Sequence, residues 1–186
     1  MDKNHKLLFH GAKSRIEGKL DIHKSRTNND LGQGFYTGER YEQAISFISG
    51  FEKSSVYIFD FKEEGLKGKK YNVNQEWMMT IAYYRGVLEE YENHPIIKKL
   101  IEKSCDCDYI IAPIADNRMF QIINSFIMGE ITDEQCKHCL AATNLGYQYV
   151  FKSDKAIKSL KMLERCYISE KEKEYYKKMR NSDAKL

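Results

Sequence analysis

The stretch Asp30–Gly38, DLGQGFYTG, sets three of the chain's 11 glycines around a Phe-Tyr pair. Glycine reaches backbone conformations closed to other residues and lets other groups approach the chain. The stretch is therefore either a tight turn into a strand or a backbone that leaves room for a flat ring against Tyr36. Its flanks help decide. Upstream, KLLFHGA (6–12) is a short apolar run ended by Gly11 and predicts a first strand. Residues 13–30 are polar and without period, which predicts a long loop. Downstream, ERYEQAISFISGF puts Tyr41, Ala44, Ile45 and Ile48 on one helical face. The order is strand, long loop, Gly-rich strand or turn, helix.

The rest of the chain extends that pattern. SSVYIFDF alternates Val56, Ile58 and Asp60 against Tyr57, Phe59 and Phe61, as a strand does. KEEGLKGKKYNV reads as a turn and a further strand. NQEWMMTIAYYRGVLEEY and HPIIKKLIEKSC have helical period. DYIIAPIAD is a buried extended run, followed by helices over NRMFQIINSFIMGEI and TDEQCKHCLAATN. Thr132 and Gln135 have the spacing of a capping box. GYQYVFKS alternates like a strand, SLKMLERCYIS is a closing strand or helix, and residues 169–186 form a charged helix fraying into a tail. Strands at both ends around a helical block predict an α+β fold with its main domain over 1–168.

Composition narrows the function classes. Hydrophobic residues make up 42% and charged residues 31%, which suits a chain with a real core. A net charge of +3 permits nucleic acid or an acidic partner without requiring either. No apolar run approaches the ~20 residues of a membrane helix, and MDKNHKLLFHGAK lacks the apolar core of a secretory signal. The expectation is a cytoplasmic protein with no membrane partner. Five cysteines without an export signal read as free thiols. Cys136 and Cys139 fall on one face of a helix, so they suit core packing better than the tight turns of a zinc site, and no metal is expected.

Three segments carry a resemblance. FHGA, then LGQGFYTGERYEQAISF after the long loop, then YQYVF on a late strand resemble the ADP-ribosyltransferase superfamily, in its H-Y-E branch of diphtheria toxin and the poly(ADP-ribose) polymerases. Over nearly its whole length the chain also resembles a bacterial group catalogued as a domain of unknown function with a predicted transferase fold. That group carries comparable GFY, ADxRM and QYVF segments. The implied architecture is a split β-sandwich with a central helical insertion, and the implied co-substrate is NAD.

Position by position, the resemblance implies that His10 bonds the adenosine ribose and that the Gly11 backbone clamps the nicotinamide carboxamide. Gly32 and Gly34 match the Gly-x-Gly turn. Tyr36 matches the tyrosine that packs on nicotinamide, and Phe47 stands where a second stacking ring would come from the following helix. Gln43 replaces a serine. Gln148 stands at the glutamate position, keeping a hydrogen bond to the nicotinamide ribose but not the negative charge. That loss is worth a rate factor of roughly 10²–10³. Asp116, in PIADNRM, is the candidate compensating carboxylate, and Arg118 and Arg26 are candidate phosphate ligands.

Plainer readings stand beside these. His10 reads equally as a strand-end residue, Tyr36 and Phe47 as core, Gln148 as a solvent-facing strand residue and Asp116 as a helix cap. The functional expectation is a mono-ADP-ribosyltransferase acting on an unknown protein or nucleic-acid acceptor. The resemblance further implies a toxin role with a cognate antitoxin. The alternatives are an NAD- or nucleotide-binding module without turnover, and a nucleic-acid-binding protein.

Overall fold

The computed structural model describes residues 5–141 and 146–183. In chain order the elements are β1 (His5–Ala12), β2 (Phe35–Gly38), α1 (Tyr41–Ile48), β3 (Ser55–Lys62), β4 (Gly68–Lys70), α2 (Gln75–Tyr84), α3 (Pro95–Cys105), β5 (Tyr109–Pro113), α4 (Asn117–Ile127), α5 (Asp133–Ala141), β6 (Tyr147–Phe151), α6 (Asp154–Lys158), β7 (Leu160–Tyr167) and α7 (Glu170–Asp183). The fold is mixed α+β with one seven-stranded sheet, ordered β4-β5-β6-β2-β1-β3-β7.

Most predicted elements appear, and the differences have local causes. The long helix expected from residue 74 to 91 stops at Arg85, because Gly86 takes φ +88 and turns the chain away. The short α6 was not predicted; Ser153 caps it by accepting from the Ala156 N–H. The ambiguous SLKMLERCYIS segment is mostly strand, paired along β3 from Phe61↔Leu160 to Ser55↔Tyr167. The charged C-terminal helix docks rather than trailing free: the Tyr41 hydroxyl donates to Glu172 Oε1 at 3.0 Å, and Lys173 donates to the Glu52 carbonyl at 2.6 Å.

The sheet is bent sharply in its middle. β1 and β3 pair along their whole length, from His5↔Lys62 to Ala12↔Ser55. By contrast, β1 meets β2 at the single pair Phe9↔Gly38. In a flat sheet β3 would lie three strand spacings from β6, roughly 14 Å. Instead the Phe61 ring centroid sits 5.0 Å from Phe151 and 5.2 Å from Tyr109. The two halves of the sheet therefore fold over onto each other. Leu8, Phe35, Tyr57, Phe59 and Phe61 meet Tyr109, Tyr149 and Phe151 between them.

Helices cover the outer faces. Trp77, Met78 and Ile81 of α2 and Ile123 of α4 pack on the side of Ile110 and Val150. Ala44, Ile45 and Ile48 of α1 cover Val56, with Ile168 beside them. The fit of α1 on β1 explains Gly11. A Cβ there would run into the Ala44 carbonyl oxygen and come within 2.9 Å of Ile48 Cγ2. Gly11→Ala should lower stability by about 1–3 kcal/mol, as other overpacking substitutions do. Urea unfolding measures this; an unchanged midpoint would contradict the close α1–β1 contact.

Candidate functional site

β2 and β6 present two of the candidate side chains on one face. Gly38 opposes Gln148, and Tyr36 opposes Val150. Strand alternation then puts Tyr36 and Gln148 on the same side, the side packed by α2 and α4. The space that a side chain at Gly38, opposite Gln148, would take is filled by Gln43. The Tyr36 hydroxyl folds back on its own loop, donating to the Gly32 carbonyl at 2.5 Å and accepting from the Leu31 N–H at 3.2 Å. Burial pushes its pKa above the usual phenol value, so the group stays protonated.

His10 approaches from the place where β1 and β2 part. Its Nδ1 donates to the Tyr36 carbonyl at 2.6 Å, and its ring stacks on Phe35 with centroids 4.4 Å apart. Among the described residues, His10, Gly11 and Ala12 pair only with β3. Burial lowers the His10 pKa, only partly offset by the bond to Tyr36, so the imidazole is neutral.

The centre of the cluster is a residue that sequence reasoning passed over. Asp30, the first residue of the glycine-rich stretch, lies half-buried against Arg85. The Arg85 Nε donates to Asp30 Oδ1 at 2.7 Å, and Nη2 lies 2.6 Å from the same oxygen. Arg85 Nη2 also donates to the Ala115 carbonyl at 2.9 Å, and its guanidinium lies 4.4 Å over the Phe120 ring. Gln148 Nε2 donates to Asp30 Oδ2 at 3.5 Å and to the Pro113 carbonyl at 3.3 Å. Both N–H groups of the amide are thus turned inward. Gln148 Oε1 accepts from none of the described residues. Desolvation raises the Asp30 pKa, outweighing the opposite pull of Arg85 and Gln148. The sequence signal for this pair was an arginine in the apolar run YYRGV, just before a glycine that ends the helix.

A family described as "Protein of unknown function (DUF3990)" matches residues 7–162. The chain belongs to that family. No curated protein matches the chain, and neither does any solved structure. The family match runs from within β1 to within β7, so His10, Asp30, Tyr36, Arg85 and Gln148 all lie inside it.

The remaining candidates divide. Asp116 is an N-cap: its Oδ1 accepts from the Met119 N–H at 2.8 Å, so its carboxylate serves α4 rather than Gln148. The neighbouring carboxylate is Asp30 instead. Arg118 and Arg26 are exposed, and no contact among the described residues joins either side chain to the cluster. Phe47 faces outward, 60% exposed, with the Lys13 ammonium 5.5 Å from its ring. Gln43 accepts from the Arg40 N–H at 3.0 Å and belongs to the start of α1.

The glycines differ from expectation as well. Gly32 holds φ +76 with the Tyr84 ring where a Cβ would stand, 2.6 Å away. Gly34 is backed as closely by the Phe151 carbonyl, at 2.7 Å. Their space is filled by the protein itself. Two clefts, of about 490 and 420 Å³, lie elsewhere and are lined by none of the candidate residues.

Two measurements check the electrostatics. The depressed His10 pKa means that the unfolded chain protonates first as pH falls. Stability from this group is therefore complete above the ordinary histidine value of 6.5 and declines as pH drops from there through the folded pKa. NMR titration should show the His10 ring titrating below 6.5; a normal or raised value would contradict its burial. Gln148→Glu would aim a carboxylate at Asp30 and the Pro113 carbonyl. It should cost about 1–3 kcal/mol near neutral pH. Such a carboxylate has a raised folded pKa, so the penalty shrinks as pH falls toward about 4.3, the ordinary glutamate value. Denaturant unfolding at both pH values reads this, and a variant as stable as wild type at neutral pH would contradict the Asp30 contact.

Proposed function

We propose that this chain is an NAD-dependent mono-ADP-ribosyltransferase, with the nicotinamide end of NAD taken where β1 and β2 part. The observation that supports this best is the common face of Tyr36 and Gln148 beside the His10 edge. Three motifs far apart in sequence fall on the neighbouring strands β1, β2 and β6, in the order that the H-Y-E resemblance implies, although the His10 ring lies on the opposite face, against Phe35. The bend of the sheet at β1 and β2 agrees with the split sandwich of that superfamily.

The chemistry follows from the residues present. The Gly11 backbone lies at the free edge of β1, where its N–H and C=O are suited to a carboxamide. Tyr36 offers the ring against which nicotinamide packs. As the bond between ribose and nicotinamide lengthens, its electron pair leaves with nicotinamide and positive charge builds on the sugar. Gln148 Oε1 is free to accept from a ribose hydroxyl, and the inward bonds of its amide nitrogen hold it in that orientation. Asp30 lies directly behind it. Its negative charge, shared with Arg85, reaches the sugar through the Gln148 dipole rather than by contact. An acceptor nucleophile then attacks the sugar and gives up its proton. Entry of the dinucleotide requires the His10–Tyr36 contact to open, because that bond closes the edge.

Gln148 itself favours a second reading: a module that binds NAD or a nucleotide without turning it over. Incubation with nicotinamide-labelled NAD separates the two. The first reading predicts release of nicotinamide, reduced about 10²–10³-fold in Gln148→Ala. Saturable binding without release would establish the second, and neither binding nor release would contradict both.

A further inference from the structure

A second cleft lies at the end of β1, β3 and β7, away from the Tyr36–Gln148 face. Its volume is about 420 Å³, and it is lined by four cations, Arg15, Lys53, Arg165 and Lys173, against two carboxylates, Glu52 and Glu170. Lys173 is only 6% exposed, and its ammonium is fixed by the Glu52 carbonyl at 2.6 Å and Glu170 Oε1 at 2.9 Å. It belongs to the wall rather than serving as a free ligand. Arg165 is also held in place, its Nε donating to Ser55 Oγ at 3.1 Å and its Nη1 to the Tyr167 hydroxyl at 3.0 Å. The Arg165 Nη2 nitrogen has no acceptor among the described residues. Arg15 and Lys53 are exposed and likewise make no ion pair among the described residues. The cleft thus holds three cationic groups with donors to spare.

Beside those donors stands an aromatic ring with one open side. Tyr167 lines the same cleft and is 76% exposed. Arg165 covers one side of the ring, with its guanidinium 4.4 Å from the centroid, and so braces it. The strip continues past the cleft, where Lys13 lies 4.5 Å over the ring of Phe51. A fixed arginine flanked by two exposed cations with spare donors suits a phosphate, and a braced tyrosine suits a planar base. An acidic peptide would use the cations but leave the tyrosine idle.

We propose that this cleft binds a nucleotide unit, with its phosphate on Arg15, Lys53 and the outer nitrogen of Arg165 and its base on Tyr167. The unit is either a free nucleotide or one residue of a single strand. The site shares no residue with the Tyr36–Gln148 face, so it stands whether or not that face turns over NAD.

The test is fluorescence anisotropy of the full chain with a labelled single-stranded oligoadenylate, competed by AMP and, separately, by polyglutamate. Saturable binding is expected, weakened about 5- to 100-fold in Tyr167→Ala. Arg15→Ala with Lys53→Ala should weaken binding and reduce its salt dependence by about one to two phosphate contacts. All three residues are exposed, and circular dichroism verifies that the variants are folded. Competition by AMP identifies a free nucleotide as sufficient; binding of the strand without AMP competition identifies the strand as the source. No saturable binding, affinity unchanged in both variants, or competition by polyglutamate as strong as that by AMP would overturn the proposal.

Discussion

The Asp30–Arg85 ion pair is the constraint on which the site depends. It is made by a loop residue and by the residue that closes α2, so neither side alone fixes it. Arg85 extends the tie to the Ala115 carbonyl after β5, and Gln148 extends it to β6. Four segments far apart in sequence are thereby held at one point. A part-buried pair of this kind adds little net stability, because desolvating the two charges offsets most of their attraction, while removing one partner leaves the other charge uncompensated. Its effect is specificity of position: the glycine-rich stretch cannot shift without stranding a charge.

That tie accounts for the shape of the stretch. Gly32 turns with positive φ, and Tyr84, next to Arg85, fills the space that a side chain there would need. The Tyr36 hydroxyl closes on Gly32, and Lys152 donates to the Leu31 carbonyl at 2.7 Å. The loop is bound to α2 on one side and to the end of β6 on the other. The question of whether the glycines make a turn or make room resolves toward the turn, with the room occupied by tyrosine and backbone of the protein itself.

Much of the fold was legible in the sequence, because period is a local property. The alternation on β3 placed Tyr57, Phe59 and Phe61 together, and the structure keeps all three between the sheet halves. The helical face Ala44, Ile45 and Ile48 is buried as its spacing predicts. The Thr132–Gln135 capping box forms with both bonds. Long-range partners were less legible. Asp30 carried no signal of its own in the sequence, because its partner lies 55 positions away. Asp116 looked available because an N-cap and a catalytic acid share one residue type at the exit of a strand. Phe47 looked like a stacking ring because its position in α1 matched a family pattern, whereas the helix turns that position outward. Sequence located Tyr36 and Gln148; the carboxylate beside them needed the fold.

The central claim is that the parting of β1 and β2 receives the nicotinamide end of a dinucleotide. Its most direct test is NMR of the isotopically labelled chain titrated with NAD, following the backbone amides and the Gln148 side-chain amide. Saturable shifts at Gly11, Tyr36 and the Gln148 amide, with loss of the His10–Tyr36 bond, are the predicted result. Shifts confined to other regions, or none at saturating NAD, would contradict it.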